Sequence, residues 1–137
     1  MTKLNNKNFW NDRYNTNMVL GSGNGSRGKN LKLKEDIVKK VLVDYEINSV
    51  LDLGCGDCEV NKNLKLPNYL GIDVSNVIVE RNTKLFPDRK FMVTDFNHIL
   101  KENKKADLLI CFDVLIHQPT KEEYELGIKT IKNSFLD

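Results

Sequence analysis

Residues 50–58 read Val-Leu-Asp-Leu-Gly-Cys-Gly-Asp-Cys. A short apolar run takes in one acid and ends on two glycines spaced by a single residue. Such a run is a buried strand that turns sharply at its C-terminal end, with backbone bare enough for a ligand to approach. Asp73 follows Gly54 by 19 positions and closes a second apolar run, Tyr69-Leu70-Gly71-Ile72-Asp73. A glycine turn after one strand and an acid at the tip of the next is the way a nucleoside is held on a parallel sheet, with the carboxylate on the ribose hydroxyls. The glycine pair alone also fits a tight structural turn. Two further acids favour the nucleoside. Asp52 lies within the strand, where a carboxylate is costly without a partner. Asp95 follows a third run, Arg89-Lys90-Phe91-Met92-Val93.

The rest of the chain alternates strand and helix. Strands are expected near 48–53, 69–73, 89–93 and 106–112, with a short helix near 59–65 and a longer one near 76–85. Ser75 suits the N-cap of the longer helix. Before the first strand, Ile37, Val38, Val41, Leu42 and Tyr45 fall on one helical face. After the fourth, Thr120-Lys121-Glu122-Glu123 reads as a capping box, opening a helix with Tyr124, Ile128, Ile131 and Phe135 on one stripe. This alternation implies an α/β fold with a parallel sheet and right-handed crossovers.

Four segments in this order carry a family resemblance: Asp-Leu-Gly-Cys-Gly, Gly-Ile-Asp-Val-Ser, Thr-Asp-Phe, and Ala-Asp-Leu-Leu-Ile-Cys-Phe-Asp-Val-Leu-Ile-His. Across about Val50 to His117 the chain resembles the class I S-adenosylmethionine (SAM)-dependent methyltransferases. The resemblance implies a Rossmann-like sheet of order 3-2-1-4 with helices on both faces and the ligand between strands 1 and 4. It implies SAM as cofactor. Gly54 and Gly56 would meet its methionine portion, beside Cys55, and Asp52 would reach its amino group through water. Asp73 would take the ribose, Val74 would pack on the adenine, Asp95 would accept from the adenine amino group, and the Phe96 N–H would meet a ring nitrogen. Phe112 would lie beside the cofactor, with Asp113 or His117 as general base toward the acceptor. There is one departure, Cys58 in place of the third glycine of the first motif. Relative to the full seven-stranded fold, the sheet is expected to be C-terminally incomplete, leaving strand 106–112 to be covered by a second copy or a partner chain.

Phe-Trp-Asn-Asp-Arg-Tyr and Gly-Ser-Gly-Asn-Gly-Ser-Arg-Gly, near the N-terminus, resemble a bacterial and viral subgroup of small methyltransferases. Residues 1–30 are therefore expected to form a helix and a glycine-rich lid, with Arg27 available for an anionic group, and 31–137 the SAM-binding core. The acceptor is expected to be a small molecule or glycan, methylated on a hydroxyl or amine. Two alternatives stand beside this: a SAM-binding module without transfer activity, and a nicotinamide-dependent oxidoreductase. Against the second, Glu59 occupies the place of the last glycine in Gly-x-Gly-x-x-Gly.

Composition narrows the partners. With 21 Lys and Arg against 19 acids the net charge is +2, too little for a nucleic-acid binder relying on a basic field. No stretch approaches the roughly 20 apolar residues of a membrane helix, and the polar N-terminus predicts no secretory leader. Three cysteines, an odd count, fit a reducing, cytoplasmic setting. Cys55 and Cys58 form a Cys-x-x-Cys pair without the second pair of a zinc site or the surroundings of a redox motif. No metal set is expected, since His98 and His117 stand apart.

Overall fold

The computed structural model describes residues 5–135. Four short strands form one parallel sheet: β1 (Val50–Leu53), β2 (Tyr69–Asp73), β3 (Lys90–Val93) and β4 (Leu108–Ile110), in the order β3-β2-β1-β4. Val50 is in register with Tyr69 on one side and with Leu108 on the other. The strand order thus reverses between β1 and β4, where a crevice opens at the C-terminal edge of such a sheet.

Side chains alternate across the sheet, and each face has its own core. Val50, Tyr69 and Ile110 pack with Val38 and Leu42 of α2 (Gly28–Asp44). Phe91 joins this cluster to a second, in which Tyr14 and Trp10 of α1 (Asn6–Thr16) meet Ile78 and Val79 of α3 (Asn76–Leu85). On the opposite face Leu51, Leu53 and Ile72 pack with Ile99 of α4 (Phe96–Lys101) and Ile131 of α5 (Lys121–Asn133). Helices therefore cover both faces.

The expected strand order, the span of α3 and its Ser75 cap all appear in the structure. Several expectations are corrected. Residues 59–64 form a chain of turns instead of a helix. Cys58 enters it at φ +61°, and Arg89 takes the carbonyls of Asn61 and Leu64, each at 2.8 Å. Strand 106–112 shrinks to Leu108–Ile110, because the Asp107 carboxylate turns to cap the start of β1 through the Asn48 and Ser49 N–H groups. Helix α4 was not expected; Asp95 caps it by accepting from His98 N. The stripes of α2 and α5 are also narrower than expected. Ile37, Tyr45, Tyr124 and Phe135 are exposed, and α5 instead buries Gly127 and Thr130, with Ser134 buried just after it.

Candidate functional site

The glycine turn after β1 is held by β2. Gly54 and Cys55 donate their N–H groups to Ile72 O at 2.9 and 2.8 Å. Gly56 N donates to Asp73 Oδ2 at 3.0 Å, while Asp73 Oδ1 accepts from Ser75 N at 3.0 Å. Both glycines need their freedom, at φ +75° and +53°. A Cβ on Gly54 would also run into Val114, beyond the tip of β4. That glycine is therefore required by the neighbouring strand as well as by the turn. Asn82, fully buried on α3, donates to Gly56 O at 2.7 Å and pins the turn from behind. Asp73 is buried with only backbone donors on it. Burial raises its pKa to about 6 in spite of the Ser75, Gly56 and Val74 N–H groups.

Asp52, one residue before the end of β1, is equally buried. Its Oδ2 accepts from Tyr69 OH at 2.7 Å and from Asn61 Nδ2 at 2.8 Å. Burial raises its pKa to about 6 against the pull of those two bonds. Orienting the amide this way leaves Asn61 Oδ1 buried without a partner in the cavity wall. The contact with Cys58, together with burial, pushes the Cys55 thiol up, so it stays protonated at neutral pH.

The glycine-rich segment is seated on this turn by Asp57, a residue that sequence reasoning passed over. Asp57 accepts from Ser22 N (3.1 Å), Ser22 Oγ (2.8 Å) and Arg27 Nη2 (2.8 Å). Burial opposes its ionisation, but Arg27 and Ser22 outweigh burial and hold the carboxyl below its ordinary range. Arg27, expected to be available for an anionic group, is engaged here instead. Asp113 follows β4 at φ +56° and pairs with Lys34 of α2. His117 ends a 3-10 turn over Leu115–His117 and meets the Trp10 ring edge-on, centroids 5.4 Å apart. At the tip of β3, Asp95 Oδ1 accepts from His98 N at 2.9 Å and lies 2.7 Å from His98 Nδ1. Burial works against its ionisation, and the two His98 contacts win, holding its pKa low.

These groups surround one cavity of 430 Å³ at the C-terminal edge of the sheet. Every site residue expected from the sequence lines it: Asp52, Gly54, Cys55 and Gly56 from β1 and its turn; Asp73 and Val74 at the tip of β2; Asp95 and Phe96 between β3 and α4; Phe112, Asp113 and His117 from the segment after β4. Trp10, Tyr14, Ser22 and Ser26 complete the wall from the N-terminal segment. Asp57 and Asn61 also line it, and both were missed. The only sequence signal for Asn61 is a small polar residue among the turns after the glycines. Among the described residues no group of three or more His, Cys, Asp or Glu converges as a metal cluster, and no helix is long and apolar enough to cross a membrane.

An orphaned carbonyl oxygen, a buried carboxylate at a strand tip and a bare glycine turn in one cavity fit a nucleoside that carries a cationic amine. A profile described as methyltransferase domain matches residues 50–134. No curated protein sequence matches the chain. Among solved structures, magnesium protoporphyrin IX methyltransferase from Synechocystis with bound SAM superposes at a TM-score of 0.69 with 21% identity, covering 98% of this chain and 74% of that one. A SAM-dependent methyltransferase from Clostridium acetobutylicum gives a TM-score of 0.69 at 20% identity, over 97% of this chain and 55% of the other. The plantazolicin methyltransferase BpumL, in complex with a pentazolic desmethylPZN analog and S-adenosylhomocysteine, gives 0.53 at 24% identity, over 76% and 42%.

Proposed function

The chain belongs to the SAM-dependent methyltransferase family, and from that membership we propose that it moves the methyl group of SAM to a hydroxyl or amine on a small molecule or glycan. SAM supplies a sulfonium-activated methyl, so the protein needs chiefly to bind, orient and exclude water. Asp73 carries the reading. Its carboxylate already fixes the glycine turn through Gly56 N, and it retains acceptor capacity toward the cavity for the ribose hydroxyls. Asn61 Oδ1, the unpartnered acceptor beside Asp52, takes the amino group. This revises the water-mediated role expected of Asp52, which instead orients Asn61. Val74 and Phe112 flank the adenine end and Asp95 accepts from its amino group. The Phe96 N–H, at the first position of α4, has no carbonyl within the helix to donate to, which leaves it for a ring nitrogen.

Of the two candidates for proton acceptor, His117 is favoured. It lines the cavity with its ring set against Trp10, whereas the Asp113 carboxylate is paired. A histidine ring nitrogen held in this way takes the acceptor's proton as the methyl bond forms. Two of the neighbours named above are a magnesium protoporphyrin IX methyltransferase and a plantazolicin methyltransferase, and the low net charge of this chain speaks against a nucleic-acid acceptor. A cytoplasmic location accords with the cysteine count.

Calorimetry with SAM, S-adenosylhomocysteine and NAD tests the cofactor. Both SAM forms should bind and NAD should not. Asp73→Ala removes charge-assisted contacts typically contributing about 1.5–3 kcal/mol, so SAM should bind roughly tenfold or more weakly. An unchanged dissociation constant in a folded Asp73→Ala protein would sink the assignment.

A further inference from the structure

We propose that Asp113 is a positioning residue: with Lys34 it clamps the glycine-rich strap 21–27 across the crevice between β1 and β4, over the cofactor site proposed above. The strap is fastened at both ends of its span. On the β1 side the Asp57 carboxylate receives Ser22 and Arg27, and a Cβ on Gly21 would collide with it. On the β4 side Lys34 Nζ donates to Gly25 O at 2.6 Å and pairs with the Asp113 carboxylate, and a Cβ on Gly25 would collide with that carboxylate. Lys34 is itself largely buried, its side chain 15% exposed, and sits 5.4 Å from the Phe112 ring centroid. Two glycines of one segment are thus fitted to two carboxylates on adjacent strand tips. Glycine is required at Gly21 and Gly25 for this close approach, beyond any need for flexibility.

Asp113 shows the same dedication in its backbone. It holds φ +56° without being glycine, a left-handed conformation that Asp adopts more readily than most residues but still at some cost. One carboxylate oxygen of Asp113 is taken up by the Lys34 ammonium that holds the strap. This clamp places the strap over the cavity when no acceptor is bound, and it leaves His117 as the group for proton transfer.

The test uses amide hydrogen exchange on the ligand-free protein and SAM binding read by the fluorescence of Trp10, the single tryptophan. Exchange at residues 22–27, several of which are hydrogen-bonded within the strap, should accelerate roughly tenfold in Asp113→Asn and equally in Lys34→Met, the amount expected for losing a charge-assisted bond. The double variant should exchange no faster than either single one. Amides of β1 report whether the fold is intact, and SAM should bind several-fold more weakly to each variant. Strap exchange at the wild-type rate in both single variants overturns the clamp. So does an Asp113→Asn protein with wild-type SAM affinity and strap exchange but lost methyl transfer, since that is the behaviour of a base. If wild-type protein fails to bind SAM, the cofactor reading falls, while ligand-free exchange still decides the clamp.

Discussion

Asp52 and Asp73 are buried acids whose pKa values both rise to about 6 from an ordinary 3.8. An acid whose pKa is higher folded than unfolded favours the native state fully below the unfolded value, and that contribution is lost as pH rises through the folded value. Between about pH 4 and 6 these two groups therefore lower stability as pH increases. Asp57 and Asp95 are held below their ordinary values, and so act in the opposite sense, below about pH 4. SAM requires the ionised Asp73, so its affinity should climb as pH rises from 5 to 7 while the ligand-free melting temperature falls. Parallel titrations by calorimetry and thermal melts check this, and a SAM affinity flat across the interval would contradict the role of Asp73. Tyr69→Phe removes one of the two donors to Asp52. It should destabilise the protein by about 1–3 kcal/mol in urea unfolding and raise the Asp52 pKa further. An unchanged midpoint would mean that Asn61 alone satisfies the carboxylate.

Helix α3 acts as a brace. Ser75 caps it and also donates its N–H to Asp73, and Asn82, two turns on, reaches back to Gly56 O. Asn82→Ala leaves that buried carbonyl without its donor, at about 1–3 kcal/mol, and loosens the turn. Both lower stability and weaker SAM binding should follow, read by melting with and without SAM, and a loss of stability with full affinity would make the brace merely structural. The strand-tip acids, the glycine turn and α3 were legible in the sequence because each rests on a local signal: an apolar run ending in an acid, a glycine pair, a serine cap. Helix α4 was not, since six residues carry too little periodicity and its cap, Asp95, also reads as a ligand acid. The buried stripe of α5 was misread because the helix packs close through small residues. Gly127 lies where a Cβ would touch Leu115 and Phe96, and the Thr130 hydroxyl reaches Phe96 O at 3.1 Å. Asp57 and the Lys34–Asp113 pair depend on segments distant in sequence, 79 residues apart in the last case, and no local pattern reveals them.

At the scale of the molecule the sheet has two edges, β3 and β4. Strand β2 is paired on both sides, and β1 lies between β2 and β4. Among the described residues β4 pairs with β1 alone, apart from a single parallel bridge between Ala106 and Phe135. Tyr124, Phe135 and Ile116, from α5 and the segment after β4, are exposed at 45%, 48% and 76%. An apolar strand with free backbone groups, beside exposed large side chains, is a template for pairing. The 137-residue chain should therefore self-associate at micromolar concentration, burying the outer side of Leu108–Ile110. Light scattering over a dilution series reads the association. A charge at Ile116, as in Ile116→Lys, should shift the equilibrium toward monomer if that surface is part of the contact. A monomer that resists concentration and melts cooperatively would mean that the bridge from α5 to Ala106 closes the edge by itself.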